Sequence, residues 1–227
     1  MKQAASLAMK SLNKKWYSID LERWSDLDIG KGMGSSTADI IATVKAIYSA
    51  FNIDTLPTNV LIKIATTIES SDGSMIDGMV AFNHTNGTIY NDFDFYPKFN
   101  IVIIIPESTY NTESISFQGK EKHSDQFKDI YDRLLLADKN KDVQEFANCA
   151  MLSADLNSEY LPNKYIYKIK KDMLENKLIL GYCVGHTGTV CGALFSPDSS
   201  GLVAATEYAI ELDKYIINSN IEIVKVP

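Results

Sequence analysis

The sequence predicts an α+β protein of two lobes that divide near residue 98, and three observations lead to this prediction. Apolar residues recur at helical spacing over residues 36–51, as they do in several later segments. The run Asn100–Pro106 is short and almost wholly apolar, which is typical of a buried strand. From residue 178 the pattern changes to strand, strand, helix, strand, which favours an antiparallel sheet covered by helices.

The remaining elements follow from the same spacing rules and from turn residues. In the first half we expect helices at 3–13, 36–51 and from Pro57 onward. We expect strands at 16–24 and 78–84, and a return strand that starts at 88–90. The pair Asn86-Gly87 predicts the hairpin turn between the last two of these strands. In the second half we expect a surface loop at 107–123, helices at 124–138, 141–157, 163–176 and 202–217, and strands at 178–184, 190–195 and 221–226.

Composition excludes several classes of function. The chain has 227 residues, a net charge of −7 and a pI near 5.0, which argues against a nucleic-acid-binding protein. No apolar run reaches the roughly 18 residues that cross a membrane, and the N-terminus lacks the apolar core of a signal peptide. We therefore expect a cytoplasmic protein. Its cysteines are odd in number and its histidines lie far apart, so neither predicts a disulfide framework or a metal site.

A glycine loop, residues 30–37, precedes the helix predicted at 36–51. Its sequence is Gly-Lys-Gly-Met-Gly-Ser-Ser-Thr. A helix N-terminus offers unpaired backbone N–H groups and a positive dipole, and glycines let a phosphate approach them. The alternative is an ordinary glycine loop before a helix capped by its hydroxyls. No Gly-Lys-Ser/Thr ending is present, which excludes a Walker A loop, and the glycine spacing is not that of a dinucleotide fingerprint.

Two further polar clusters lie elsewhere in the chain. The segment Glu69–Met75 carries carboxylates at Glu69 and Asp72, which suit a general base or a metal ligand. The alternative is a turn in which Asp72 caps the next residues. The segment 185–189, Gly-His-Thr-Gly-Thr, lies between two apolar runs, and its small residues permit another backbone or a ligand to approach. The alternative is a simple turn between strands.

Taken together, these clusters resemble the motifs of the GHMP kinases. Residues 32–38, Gly-Met-Gly-Ser-Ser-Thr-Ala, resemble the second motif of that family, which wraps the ATP phosphates. Residues 185–192 are similar to its third, glycine-rich motif. The segment from Glu69 to His84 is similar to the branch of L-threonine kinases of the propanediol-utilisation type, which serve cobalamin biosynthesis. The resemblance implies a two-lobed GHMP kinase fold. Its N-terminal ATP-binding lobe, 1–98, would be ribosomal protein S5 domain 2-like, and its C-terminal lobe, 99–227, ferredoxin-like.

The resemblance also implies roles for individual residues. ATP and Mg²⁺ are the expected cofactors, and a small-molecule hydroxyl, with L-threonine favoured, is the expected acceptor. Asp72 would take or orient the proton of that hydroxyl, and Ser36 and Glu69 would hold the Mg²⁺. The residues expected to bind ATP are Lys31, Gly32, Met33, Gly34, Ser35, Ser36, Thr37, Gly185, His186, Thr187 and Gly188.

Two departures from the family pattern leave alternatives open. Asp28 stands where the second motif usually has a proline. The chain also begins in what matches the helix after the family's first motif, so we expect a truncated N-terminal lobe. Open sheet edges would then favour a homo-oligomer or a companion N-terminal chain. The alternatives are a catalytically impaired remnant that binds a nucleotide or a partner, and a GHMP kinase for another small alcohol, such as an isoprenoid or sugar kinase relative.

Overall fold

The structure, a computed structural model, describes residues 1–15, 18–27, 29–107, 123–185, 190–216 and 219–226. The chain divides into two compact units. The first contains residues 1–29 and 34–94, and the second contains residues 30–33 and 95–227. Within the described ranges, no helix combines the length and the apolar character that a bilayer crossing needs.

The first unit combines three helices with a hairpin. Its elements are α1 (Lys2–Ser11), α2 (Ser35–Ala50), α3 (Thr58–Ile68), a 3₁₀ turn (Gly73–Met75), β1 (Met79–Phe82) and β2 (Ile89–Phe93). The helices share one apolar cluster, in which Ala4, Ala8, Val44 and Ala65 are completely buried. The small side chains of α1 let its backbone approach its neighbours closely, which explains why a short alanine-rich helix is held there.

The hairpin forms at the predicted turn. β1 and β2 pair antiparallel, with Phe82 opposite Ile89 and a register shift beside Phe82. The Gly87 N–H donates to the Asn83 carbonyl. Gly87 has a φ of +78°, a backbone conformation that is unfavourable for residues with a Cβ. The Asn-Gly signal therefore identified both the turn and the residue that needs left-handed backbone.

The strand predicted at residues 16–24 is wrong over its described part, because residues 18–24 have no regular structure and pair with neither β1 nor β2. Ile19 and Leu21 pack against the helical cluster of the first unit, and Arg23 forms an ion pair with Asp39 on α2. The alternating pattern thus reflects side chains that contact a helical surface. A strand requires a hydrogen-bonding neighbour, and alternation alone does not supply one.

The second unit is a four-stranded antiparallel sheet with helices. Its elements are β3 (Asn100–Pro106), α4 (Ser124–Asn140), α5 (Val143–Ser158), α6 (Lys164–Glu175), β4 (Gly181–Val184), β5 (Cys191–Phe195), α7 (Ser199–Tyr215) and β6 (Ser219–Lys225). The strand order is β4-β5-β3-β6, with β3 antiparallel to both neighbours. This element order is that of a ferredoxin-like plait: one strand, helices, two strands, one helix and one strand. The resemblance implied the same architecture.

The core of the second unit lies between the sheet and its helices. Val102 of β3 is opposite Ala193 of β5 and Ile223 of β6, and Val102 and Ala193 are completely buried. On the helical side, Ile169 of α6 and Leu212 of α7 are also completely buried. Each such Val, Ile or Leu contributes roughly 1.5–3 kcal/mol through burial, so this cluster holds the plait together.

Helix α7 begins three residues before its predicted start at 202. The Asp198 carboxylate accepts a hydrogen bond from the Gly201 N–H at 2.7 Å, which caps the helix ahead of Ser199. Asp198 is therefore the N-cap, and residues 199–201 are the start of the first turn of the helix. Gly201 is required inside that turn, because a Cβ there would lie 2.0 Å from the Ser196 carbonyl oxygen.

Candidate active site

The glycine loop joins a helix whose N-terminus carries no side-chain cap. Gly30, Gly32 and Gly34 have φ values of +75°, +78° and +71°, in the left-handed region that glycine tolerates. Gly34 is the N-cap of α2, and its carbonyl accepts the first helical hydrogen bond, from Ala38 at 2.9 Å. The preceding N–H groups, at the first turn of α2, have no acceptor within the helix. This geometry offers backbone donors to an anion.

A serine hydroxyl and a carboxylate meet at the same helix end. The exposed Ser36 donates from Oγ to Oε2 of Glu69 at 2.5 Å. Glu69 directly follows α3, where the chain becomes extended and turns the carboxylate toward α2. The other two hydroxyl residues, Ser35 and Thr37, are buried at 9% and 4% exposure. Ser36 is therefore the hydroxyl of the first turn that a ligand in solvent can reach most readily.

Asp72 is held by the 3₁₀ turn that follows it. Its Oδ1 accepts from the Ser74 N–H at 3.0 Å, and this bond fixes the carboxylate as the N-cap of residues 73–75. Its Oδ2 lies 3.1 Å from the position that a Cβ on Gly34 would occupy. The two interpretations of the segment Glu69–Met75, a turn capped by Asp72 and a carboxylate at a ligand site, are therefore compatible. Asp72 caps a turn, and the same carboxylate stands beside the start of α2.

The loop residues Gly30–Met33 belong to the second unit. Lys31 is buried, at 6% exposure, and its ammonium donates to the Pro106 carbonyl at the end of β3. Met33 is half-buried. Lys31 is therefore not a solvated surface lysine, although its sequence neighbourhood would equally have suited one. The predicted contact of Lys31 with ATP stays a prediction.

The start of the third motif lies against the same segment. A Cβ on Gly185 would stand 3.0 Å from the Gly32 carbonyl oxygen, so only glycine allows this approach without displacement. The Gly185 N–H donates to the Val190 carbonyl at 2.8 Å, and the Val190 N–H approaches the Lys31 carbonyl at 3.4 Å. The other predicted residues of this motif, His186, Thr187 and Gly188, lie outside the described residues. Asp28, before the glycine loop, also lies outside them.

The cysteines near this motif do not supply a nucleophile. Burial raises the pKa of the Cys183 thiol to about 11 and that of Cys191 to about 12. Both thiols are therefore protonated at neutral pH, and the thiolate is the reactive form.

The donors of the first unit suit a magnesium–phosphate complex. Among the described residues, no three His, Cys, Asp or Glu side chains come together as a metal-binding group. Mg²⁺ bound through one or two carboxylates, water and substrate phosphates does not need such a group. Ser36 and Glu69 provide a hydroxyl and a carboxylate oxygen within 2.5 Å of each other, next to backbone donors for phosphate. The residues present therefore fit the group that the resemblance implies.

Sequence reasoning missed one ion pair beside this helix end. Arg23 donates from Nε to both carboxylate oxygens of Asp39, at 2.9 and 2.7 Å. The two residues are 16 positions apart and Arg23 lies in an irregular segment, so no helical or strand spacing connects them. The position of Asp39 within the first turns of α2 was the one available signal, because an acidic residue beside a predicted phosphate site calls for a compensating cation.

Comparison with known proteins finds GHMP kinases among the proteins that this chain resembles. Residues 1–84 match the family described as GHMP kinases N terminal domain. The L-threonine kinase of Citrobacter freundii is 24% identical over 182 residues, which cover 78% of this chain and 62% of that protein. The GHMP resemblance, including its L-threonine kinase branch, is thereby confirmed. This chain spans less than two thirds of the length of that relative.

Solved structures extend the GHMP kinase fold to nearly the whole chain. The homoserine kinase from Cytophaga hutchinsonii superposes with a TM-score of 0.71 at 15% identity, covering 99% of this chain and 75% of that one. The Methanococcus jannaschii mevalonate kinase superposes with a TM-score of 0.68 at 16% identity, covering 98% and 73%. These likenesses confirm the predicted α+β GHMP kinase fold.

Proposed function

We propose that this chain is an ATP-dependent kinase that phosphorylates the hydroxyl group of a small alcohol, with L-threonine as the favoured acceptor. The product would be L-threonine O-3-phosphate, an intermediate suited to cobalamin biosynthesis and propanediol utilisation. The observation that carries the proposal is the meeting of Ser36 with Glu69, and of Gly34 with Asp72, at the N-terminus of α2. The L-threonine kinase relative supports the choice of acceptor.

The start of α2 is the proposed phosphate site. Its first-turn N–H groups donate to phosphate oxygens, and the absence of a side chain on Gly34 leaves room for them to approach. When bound, Mg²⁺ supplies positive charge between the phosphate oxygens and the protein carboxylates. Ser36 and Glu69, whose oxygen atoms now share a hydrogen bond, would hold this ion. Phosphoryl transfer depends mainly on positioning and charge neutralisation, and this chain places both kinds of group together.

Asp72 is the proposed acceptor of the substrate proton. Its Oδ1 is occupied by the Ser74 N–H, whereas Oδ2 faces Gly34 at the helix end. The carboxylate therefore has a fixed orientation and one oxygen directed toward the place where phosphate would bind. A positioned carboxylate of this kind orients an attacking hydroxyl and takes its proton as the new P–O bond forms, while the bond from the γ-phosphorus to the bridging oxygen breaks and ADP leaves.

The resemblance also implies ATP-binding residues in the second unit. Within that unit, Gly32 and Gly185 approach each other and Lys31 is buried. Met33 and the residues His186, Thr187 and Gly188 complete the proposed ATP-binding set. An oligomer or a companion chain remains a prediction from the sequence.

The direct test measures ADP release from MgATP with L-threonine, L-serine and L-homoserine. Asp72→Asn should lower kcat by about a hundredfold or more, the size of a general-base contribution. Asp77→Asn is the matched control, because Asp77 is an exposed carboxylate five residues further along the same segment. Threonine turnover that is equal in wild type and Asp72→Asn removes Asp72 from this role. No turnover with any acceptor contradicts the kinase proposal.

A second acceptor, L-homoserine, is favoured by the homoserine kinase among the structural neighbours. The ratio of kcat/KM values for L-threonine and L-homoserine decides between the two. The remnant hypothesis gives a third outcome, in which MgATP raises the melting temperature but no acceptor yields ADP. Ligand binding stabilises the native state whether or not chemistry follows, so this measurement separates binding from catalysis.

A further inference from the structure

We propose that Arg23 is a phosphate-binding residue of the nucleotide site and that Asp39 holds it in place. The inference rests on the proposed function, because it adds a cation to the site at the N-terminus of α2. The central observation is the ion pair in which Arg23 Nε contacts both oxygens of Asp39, at 2.9 and 2.7 Å. Neither residue belongs to the glycine loop or to the carboxylate segment.

The position of Asp39 on α2 brings Arg23 to this helix end. Asp39 follows Ser36 by three residues, so the two side chains are neighbours on one face of the helix. Helical side chains lean toward the N-terminus, which directs the Asp39 carboxylate toward the turn of Ser36. Three residues span about 4.5 Å along a helix. The guanidinium bound to Asp39 therefore stands within about one helical turn of the backbone donors.

The geometry of the pair leaves donors for a second anion. A guanidinium has five N–H groups, and both recorded contacts with Asp39 use Nε. Arg23 and Asp39 side chains are 30% and 27% exposed, so the pair is anchored but reachable from solvent. Ile19 and Leu21, in the same segment, pack against the helical cluster and restrain the backbone that carries Arg23. An arginine held in this way is suited to bidentate binding of phosphate.

The charge of the site favours such a cation in addition to the proposed Mg²⁺. Glu69 and Asp72 stand at the end of α2, and Asp39 lies one turn further along. Three carboxylates near a triphosphate repel it unless positive charge lies between them. Among the described residues of the first unit, only Arg23 and Asp39 form an ion pair with each other. Lys31 belongs to the second unit and donates to the Pro106 carbonyl.

The test measures binding by isothermal titration calorimetry of the full chain with MgATP, MgADP and adenosine. We expect Arg23→Gln to weaken MgATP binding by about tenfold, the lower range for a hydrogen bond to a charged group. MgADP binding should weaken less, and adenosine binding should change by less than about twofold, because the lost contact is to phosphate. Lys63→Gln is the control, since Lys63 is an exposed cation on α3 of the same unit.

Three further variants distinguish phosphate binding from a structural role. Arg23→Lys should retain part of the affinity, because it keeps the charge but not the fork of donors. Asp39→Asn should weaken MgATP binding by about threefold, since Arg23 remains but loses its anchor. The double variant with Arg23→Gln and Asp39→Asn should bind no better than Arg23→Gln alone. Circular dichroism melting of each variant shows whether the fold is kept.

Different results would contradict the kinase proposal and the phosphate-binding role of Arg23. A wild-type chain that binds no MgATP contradicts both the kinase proposal and the role of Arg23. A wild type that binds MgATP while Arg23→Gln binds it equally well overturns the role of Arg23 alone. Recovery of wild-type affinity in the double variant also overturns it, because Arg23 would then only neutralise Asp39. Equal losses for MgATP and adenosine indicate a structural effect and overturn it as well.

Discussion

Replacing Gly34 by alanine should damage both the fold and the nucleotide site. Gly34 has a φ of +71° and caps α2, and an added Cβ would lie 3.1 Å from Asp72 Oδ2. The substitution therefore introduces two separate penalties, one in the backbone and one at the carboxylate. The substitution removes no hydrogen-bonding group from the loop. Its effects therefore arise from the backbone conformation and from the space that the added Cβ occupies.

The two penalties have different sizes. Left-handed backbone costs a residue with a Cβ about 1–2 kcal/mol. The contact at 3.1 Å requires Asp72 to move by a few tenths of an ångström, although its Oδ1 is bonded to the Ser74 N–H. Weakening that bond adds about 0.5–1.5 kcal/mol. We therefore expect Gly34→Ala to lower the free energy of unfolding by about 1.5–3.5 kcal/mol.

Gly78→Ala is the matched control in the same unit. Gly78 has a φ of +91°, but a Cβ there would meet Asp92 Oδ1 at an ordinary 3.9 Å. The control should therefore lose only the backbone part, about 1–2 kcal/mol. Urea unfolding followed by circular dichroism measures both variants, and calorimetry measures MgATP binding. We expect Gly34→Ala to weaken MgATP binding by at least about tenfold and Gly78→Ala to leave it unchanged.

Two results would refute this reasoning. If Gly34→Ala is as stable as wild type, the left-handed backbone or the contact with Asp72 is absent in solution. If Gly34→Ala is destabilised as expected but binds MgATP with wild-type affinity, the N-terminus of α2 is not the phosphate site.

Three other predictions concern stability and reactivity. The Ser200 hydroxyl, with backbone donors, lowers the pKa of the Asp198 carboxyl from 3.8 to about 2. The unfolding free energy that Asp198→Asn removes should thus be constant above about pH 4 and disappear as pH falls toward 2; a pH-independent difference contradicts this. Burial raises the pKa of Cys149 to about 11 and of Cys191 to about 12. Both thiols should therefore resist alkylation by iodoacetamide at pH 8 until urea is added. Rapid labelling of the native protein would contradict this, because it would show that the thiols are exposed. Asp142 caps α5 through the Glu145 N–H at 3.0 Å, so Asp142→Ala should lower the unfolding free energy by about 1 kcal/mol in urea titrations; wild-type stability would argue against the cap.

The sequence predicted those elements whose signals are local. The bounds of α4, α5 and α6 agree with the predicted helices within a few residues, because apolar spacing and capping residues act over one or two turns. The Asn86-Gly87 turn was predicted for the same reason. The segment 18–24 was not, since alternation arises equally from strand pairing and from side chains that contact helices.

The candidate site was predictable as far as its motifs are contiguous. Gly34, Ser36, Glu69 and Asp72 were each chosen from short patterns. The structure brings them together at the start of α2. The burial of Lys31 was not predictable, because its partner Pro106 is 75 residues away and the bond depends on the tertiary fold. The pair of Arg23 and Asp39 was missed for the same physical reason. Contacts between irregular segments and helices leave no periodic signal.

The most direct test of the central claim is ³¹P NMR of the chain with MgATP and L-threonine. The proposed function predicts that a phosphomonoester resonance appears in the same amount as ADP, and that Asp72→Asn greatly slows its appearance. ATP that remains unchanged, or ADP that appears only with inorganic phosphate, would contradict the claim that the groups at the N-terminus of α2 transfer phosphate to a small alcohol.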